Sequence, residues 1–394
     1  MNAALELGPS SRKARLVGRE AFAALRSDWT RIADAMPNAT PFVSWEWAAA
    51  WLETIGRDVE ARFVLLEDET GICAILPFAA SLSSGPVPGA RRLTSCAVDD
   101  VYPDQLEPVA AAQDLPTLLD SALDLLWADG LRWDCVRLPM LAEDSPFAAE
   151  LERRAQSPGR SSRMERREAT TAPFLPISVG YEDFLKTLSS NERYKIRNRS
   201  KKLLTGRDVE YSDLGAMESV EALALLRALH AKRAEQKGIR STFDTEPVQR
   251  FHERLLRELP KERVVWRCLR SGSDIFAMFY GFRVRDRLFY FQLGYDPAWS
   301  EFSAGLVLLS QTIREAFESG CREYNFLQGN EPFKSTWTRS ARRLNDWTIY
   351  RPDFRGELLY RLNRTRAIGR AGVVQVTAAV RAVRAWRDAR RKGG

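Results

Sequence analysis

Two pairs of segments repeat along this chain in the same order, and a repeat constrains the architecture before any single motif does. The stretch from Arg62 to Phe78, RFVLLEDETGICAILPF, aligns without a gap on Arg263 to Phe279, RVVWRCLRSGSDIFAMF. Each reads as an apolar strand, a polar turn holding a glycine (Gly71, Gly272) and a second apolar strand, which is a hairpin pattern. Further on, Leu118 to Pro139 aligns on Leu308 to Gly329, again without a gap. Each of these reads as an amphipathic helix closed by a glycine (Gly130, Gly320) and followed by a short apolar strand. Either match alone is a common pattern, but two in register make duplication the better explanation. The order of elements, hairpin, further strand, helix, strand, implies an α+β (mixed α/β) fold around a central mixed sheet rather than a sandwich or a bundle.

Two copies also suit the length. A chain of 394 residues exceeds the roughly 250 to 300 that one hydrophobic core organises. The join falls in Arg153 to Pro173, RRAQSPGRSSRMERREATTAP, which is polar and poor in apolar side chains and reads as a linker. The expected organisation is a first module over residues 1–155, a linker over 156–173, a second module over 174–355 and a basic helix over 356–394.

Several function classes are disfavoured by composition. The five cysteines are scattered and never form a C-x-x-C pair, so neither a disulfide framework nor a zinc cage is expected. The two histidines, His230 and His252, sit in helical patterns without an acidic or nucleophilic neighbour in sequence, which disfavours a histidine-centred metal site or a Ser-His-Asp triad. There is no apolar run of about 18 residues to span a bilayer. The basic residues near the N-terminus follow a mixed segment instead of preceding an apolar one, the wrong order for a secretory signal. The default expectation is a cytoplasmic protein. The net charge of +7 is concentrated at one end, because residues 356–394 carry ten Lys/Arg against Glu357 and Asp388. Apolar residues at near-helical spacing beside those arginines read either as an interfacial helix on an anionic membrane or as a helix packed on the body with a solvated basic face.

Chemistry-bearing residues collect in the second module. A strand over Leu288 to Leu293 leads through GYDPAWSEF into a helix that opens with Ser303, Ala304 and Gly305. Small residues there let backbone N–H groups approach a phosphate at the positive end of the helix, although ordinary capping explains them too. The next strand ends in REYNFLQGNEPFKSTWT, where Tyr324, Asn325, Gln328, Asn330, Glu331 and Lys334 crowd together. Polar groups after a buried strand are typical of the carboxyl end of a sheet, where ligands bind, and equally of a solvated turn. The first module has VDDVYPDQLEPVAA at the corresponding place, whose acids Asp99, Asp100, Asp104 and Glu107 disfavour a pyrophosphate and read either as solvated turn residues or as a wall of an acceptor cleft.

Three stretches together, SSNERYKIRNRSKKL, GYDPAWSEFSAGLVLL and YNFLQGNEPFKSTW, resemble the GNAT-type N-acetyltransferases. The branch they resemble is the FemAB-like, double-module (BioF2-like) one associated with cellulose and envelope polysaccharide biosynthesis. The resemblance runs from about Phe42 to about Tyr350. It implies two tandem modules, each a mostly antiparallel sheet flanked by helices, with an acyl-CoA such as acetyl-CoA held between two splayed strands of the second module and no metal. Carried over by position, Gln292, Leu293, Ser303, Ala304, Gly305, Asn325 and Lys334 would contact the cofactor. Glu331 and then Asp296 would be the base, Tyr295 or Tyr324 would protonate the leaving thiolate, and Gln328 and Asn330 would meet the substrate. The chain departs from the pattern in lacking Q/R-x-x-G-x-G/A before the helix, in Ala304 where the branch often has proline, and in Phe333 where tyrosine commonly precedes lysine. The resemblance further implies a small amine acceptor, of a sugar or sugar-nucleotide. The alternatives are a Fem-type transferase using aminoacyl-tRNA, the one case in which nucleic acid would be a partner, and a non-catalytic protein at the membrane periphery.

The stretch from Ser189 to Gly206 sets six basic side chains around one isoleucine. Ser189 and Glu192 have capping-box spacing and Gly206 is a plausible stop, so a helix is expected from Ser190 to Leu204. At 100° per residue Arg193, Arg197 and Lys201 form one row, and Lys195, Arg199 and Lys202 another, with Ile196 and Leu203 as the packing stripe. Arg193 and Arg197 are the candidates for phosphate contact, with a solvated helix as the alternative.

Overall fold

The computed structural model describes residues 4–7, 12–82, 89–97, 100–128, 133–157, 163–238, 241, 243 and 245–365. The first half contains β1 (Ala4–Leu7), β2 (Arg12–Gly18), α1 (Arg26–Ala35), α2 (Trp45–Glu53), β3 (Glu60–Asp68), β4 (Gly71–Leu82), β5 (Arg91–Ser95), β6 (Val109–Ala110), α3 (Leu115–Ala128), β7 (Cys135–Ala142) and α4 (Pro146–Gln156). The second contains β8 (Met164–Pro176), α5 (Tyr181–Thr187), α6 (Ser190–Ser200), β9 (Val209–Asp213), α7 (Ser219–Lys237), α8 (Glu246–Glu258), β10 (Val264–Ser271), β11 (Asp274–Val284), β12 (Arg287–Tyr295), α9 (Ala304–Glu318), β13 (Glu323–Asn325) and β14 (Ala341–Tyr350).

The repeat seen in the sequence is a repeat in space. The hairpin β3–β4 corresponds to β10–β11, and α3 with β7 corresponds to α9 with β13. Both hairpin turns place glycine at positive φ, Gly71 at +116° and Gly272 at +57°, where a side chain is disfavoured. In each half one parallel pairing follows the crossover helix, β5 with β7 and β12 with β13, while the other pairings are antiparallel. Parallel neighbours need such a crossover, so the two helices are what makes the two parallel contacts possible.

The strands form one continuous sheet in the order β1-β2-β3-β4-β5-β7-β14-β8-β13-β12-β11-β10-β9, with β6 on β4. Its centre differs from the expected linker. Residues 164–173 are not a tether but most of β8, which pairs with β13 on one side and β14 on the other. Strand β14, last in the second half, pairs with β7 of the first. Most β8 side chains between Met164 and Thr171 stay partly or fully exposed, so their polarity hid a strand lying at the middle of the sheet.

Three main cores line the faces. One is shared by both halves: Phe22, Trp29 and Trp47 from the region of α1 and α2 pack with Phe251, Leu255, Tyr280 and Phe282 from α8 and β11. On the opposite face the first half buries α3 and α4, through Leu118, Leu125, Phe147 and Leu151. The second half buries Ile196 and Leu203 beside Val307, Leu308 and Ile313 of α9. The basic helix forms as its caps require, with both arms of the Ser189/Glu192 capping box present. It continues past Ser200 as a π-helical turn, Lys201–Thr205, which swings Leu203 into the core. Of the C-terminal helix the structure describes residues 354–365, anchored by buried Leu359, and the rest of the expected helix lies outside the described residues.

Candidate functional site

Strand β12 gives the site its geometry. It pairs with β13 only through Arg287, Leu288 and Phe289, and beyond that point β13 follows β8, with the Phe326 amide donating to Pro173 and the Gly329 amide to Thr171. From Tyr290 to Tyr295 the edge of β12 facing β13 has no strand partner. A bulge at Phe291 accompanies the parting, since Gly281 opposes Tyr290 while Tyr280 opposes Gln292. Bulges bend a strand locally and are frequent beside sites.

A cavity of about 510 Å³ fills the opening. Tyr290, Leu293 and Tyr295 of β12 form one wall, Ser303, Ala304, Gly305, Leu306 and Leu309 another, and Pro332, Phe333, Thr336 and Trp337 a third. Lys195 of α6 and Arg233 of α7 complete the lining. Ser303 is left-handed at φ 59° and its hydroxyl does not cap α9. The first intrahelical acceptor, the Ser303 carbonyl, is taken by Val307, so the amides of Ala304, Gly305 and Leu306 have no partner within the helix. All three residues lie on the cavity wall. Gly305 lies close to Tyr295: a Cβ there would stand 3.1 Å from the ring, which would have to give way slightly. Neither Lys195 nor Arg233 pairs with a carboxylate among the described residues, and the Arg233 guanidinium lies 5.0 Å over the Tyr295 ring. Two cations and a helix N-terminus therefore face the same space, whose remaining walls are largely apolar or aromatic.

The sequence candidates divide by location. Leu293, Tyr295, Ser303, Ala304 and Gly305 line the cavity together. Gln292 sits half-buried on the same strand. Glu331, Gln328 and Asn330 lie on the segment leaving β13. Glu331 is half-exposed and pairs with Lys334 at 2.9 Å. The Gln328 side chain donates to the carbonyls of Tyr102 and Pro103 at 3.1 and 3.3 Å, and Asn330 accepts from Thr171. Lys334 is buried with its ammonium on the carbonyls of Gln328 (2.6 Å) and Leu327 (3.2 Å), and burial lowers its pKa. It clamps the exit of β13.

Other candidates are held elsewhere. Tyr324 points into the core under α9, where its hydroxyl pairs with Thr312 at 2.9 Å and burial drives its pKa well up. Asn325 is fully buried at the seam between the halves. Its amide donates to Gln105 (3.1 Å) and Glu323 (2.9 Å), and its oxygen accepts from Leu327 (2.9 Å). Asp296 caps the turn before α9 through the Ala298 amide at 2.9 Å and pairs with Lys232 at 2.6 Å, and the Lys232 hydrogen bond lowers its pKa. Arg193 donates to the carbonyls of Leu185 and Lys186, and Arg197 pairs with Glu182 at 2.6 Å, so this row of α6 ties down α5. The other row faces the site: Lys195 lines the cavity and Arg199 donates to the Glu301 carbonyl at 2.9 Å.

Sequence reasoning missed Lys195, Arg233, Tyr290, Phe333 and Trp337 as wall residues. Helical periodicity separated the rows of α6 without showing which row meets the cavity, and nothing local marks Arg233, which arrives from α7. The acids of the first half are not solvated turn residues throughout. Asp104 is fully buried, accepts from the Gln328 amide and the Gln105 side chain, and burial raises its pKa to about 6. Where the first half would part its own strands, Leu106, Pro108 and Val109 fill the space and leave about 30 Å³. Among the described residues no group of three or more His, Cys, Asp or Glu could hold a metal, and no helix is long and apolar enough to cross a membrane.

Comparison with known proteins agrees with this geometry. The family model for the acetyltransferase (GNAT) domain matches residues 190–335, which span α6 to the segment after β13. No curated protein matches the chain significantly. Among solved structures, FemX is 12% identical with a TM-score of 0.59, over 86% of this chain and 98% of that one. A conserved protein of unknown function from Bacteroides thetaiotaomicron is 14% identical with a TM-score of 0.55, over 85% and 100%. The C-terminal domain of a protein described as a lysylphosphatidylglycerol synthetase from Agrobacterium fabrum is 10% identical with a TM-score of 0.52, over 87% and 96%. At these identities the likeness is one of fold. Residues 190–335 thus match the acetyltransferase (GNAT) domain model, within a chain whose fold is similar along most of its length to that of FemX.

Proposed function

We propose that the second half binds an acyl-CoA in the cavity beside β12 and transfers its acyl group to an amine. The observation that carries this reading is the convergence of the three unpaired amides at the start of α9 with Lys195 and Arg233 on one cavity. A pyrophosphate is the ligand that such an end satisfies. The unpaired edge of β12 offers backbone groups to the amides of a pantetheine arm, in the manner of a strand added to a sheet edge. Transfer needs no covalent enzyme intermediate. The amine nitrogen bonds to the carbonyl carbon, the carbon–sulfur bond breaks, the thiolate leaves and is protonated, and a base takes the proton of the amine. Glu331 is the candidate base, being a half-exposed carboxylate on the segment that forms the third wall. The acceptor we take to be an amine of a sugar or sugar-nucleotide in surface polysaccharide synthesis, on the resemblance of the three motifs alone.

A second reading has its own support. The outer face of α6 and the turn after it expose Lys195, Arg197, Lys201 and Lys202 beside Tyr194, which is 68% exposed. Basic side chains with an interleaved aromatic suit an RNA backbone and a stacked base, as an aminoacyl-tRNA donor would require. Calorimetry with acetyl-CoA and with aminoacyl-tRNA separates the two readings, because each expects heat from one ligand only. Glu331→Gln with undiminished turnover removes Glu331 as the base.

A further inference from the structure

Tyr290 stands where the site's chemistry must occur. It is the first residue of β12 past the last pairing with β13, Phe289 with Asn325, and it adjoins the bulge at Phe291. Its ring is wedged between Phe279 at 5.7 Å, Phe326 at 6.4 Å and Phe333 at 5.8 Å, which fixes the phenol at the inner end of the cavity. The other cavity phenol, Tyr295, lies five residues further along, against Gly305 at the start of α9. The bulge removes one residue from that spacing, since the facing strand advances only from Gly281 to Ala277, so at about 3.3 Å per residue the two lie roughly 13 Å apart along the strand, on the scale of the arm that separates the pyrophosphate of CoA from its thioester. A donor with its phosphates at Ala304–Leu306 therefore presents its thioester near Tyr290.

The hydroxyl is available there. Tyr290 is partly buried on the cavity wall, and its hydroxyl makes no hydrogen bond among the described residues. The charged groups bearing on it are Arg233 from α7 and Glu331 from the segment after β13, and burial holds its pKa above the usual range, so it remains a neutral donor across the working range of pH. The neighbouring wall residue, Phe333, offers a ring without a hydroxyl.

We propose, building on the acyl-CoA reading, that the Tyr290 hydroxyl donates a hydrogen bond to the acyl carbonyl oxygen of the bound thioester. This makes it a catalytic residue, since negative charge develops on that oxygen as the amine attacks and a fixed donor stabilises it. No proton is transferred in this role. The bond exists only when an acyl group is present, so it distinguishes acyl-CoA from CoA.

The test is calorimetric titration of the full chain and of Tyr290→Phe with acetyl-CoA and with CoA. The variant is expected to lose about tenfold in affinity for acetyl-CoA, the worth of one good hydrogen bond, and to bind CoA within about twofold of the parent. Equal losses for both ligands, or none for either, assign Tyr290 to the wall alone and overturn the proposal. Failure of the parent chain to bind either ligand instead overturns the acyl-CoA reading and this proposal with it. A measurement on the parent chain covers a variant that does not fold: the carbonyl stretch of bound, 13C-labelled acetyl-CoA is expected at lower frequency than that of free acetyl-CoA, and an unshifted band refutes the hydrogen bond.

Discussion

Glu107→Gln tests whether the seam between the halves is as dry as the structure makes it. Glu107 lies at a small polar pocket with Gln105, Ser145, Arg287 and Arg342, and burial, opposed by hydrogen bonds from Ser145 and the Phe147 amide, raises its pKa from 4.5 to about 8. An acid whose pKa is higher folded than unfolded holds more protons in the folded state, so its contribution to stability is fully present below pH 4.5 and is lost as pH rises to about 8. At about 1.4 kcal/mol per unit, the accumulated cost is under about 1 kcal/mol at pH 5 and roughly 4 kcal/mol at pH 8. Glutamine keeps the hydrogen-bond acceptor and abolishes the titration. Urea unfolding of parent and variant at pH 5, 6.5 and 8 is therefore expected to show a gap that opens by about 3 kcal/mol in favour of the variant as pH rises. Asp104, and His252 with its pKa lowered by burial to about 3, titrate in both proteins and cancel in the difference. Parallel pH profiles for the two proteins refute the reasoning, because they mean that Glu107 is hydrated and ionised in the folded state.

Other outcomes follow from the same geometry. Asn325→Leu leaves the Gln105 side-chain oxygen and the Leu327 amide without partners at a buried seam and is expected to cost about 2–4 kcal/mol, read as a shift of one cooperative urea transition, since one core is shared by both halves. Reversal of charge at Lys195 or Arg233 should weaken acetyl-CoA binding by about tenfold or more in low salt, and less as salt rises. The same change at Arg197, which is engaged with Glu182, should shift binding by no more than about threefold. If the basic C-terminal segment docks on anionic membrane, removal of residues 366–394 abolishes salt-sensitive co-sedimentation with anionic liposomes, and unchanged co-sedimentation refutes that role.

The features legible in the sequence were those encoded locally. Hairpins announce themselves by alternation and a glycine turn, so β3–β4 and β10–β11 could be matched, and the Ser189/Glu192 box fixed the start of α6. The opening of α9 was recognisable from three small residues. The centre of the sheet was not, because β8 is polar along much of its length and pairing across 170 residues leaves no local mark. Asn325 and Asp104 illustrate the same limit in the site: both are polar residues near strand ends, and only the approach of the other half turns them from plausible ligands into buried seam contacts. Periodicity separated Arg193 and Arg197 from Lys195 and Arg199, while Lys201 and Lys202 fall on the π-helical turn, and the row that meets the cavity is decided by where α9 and α7 stand.

The exchange of central strands has a consequence for how the protein comes into being. Every strand of the second half's sheet, from β8 to β13, has been translated by residue 325, whereas β7 gains its partner β14 only once residue 350 has left the ribosome. Contacts so distant in sequence form slowly and leave an edge unpaired meanwhile. Both halves therefore wait for the same strand, and until β14 inserts, the facing edges of β7 and β8 are surfaces open to chaperone capture or mispairing.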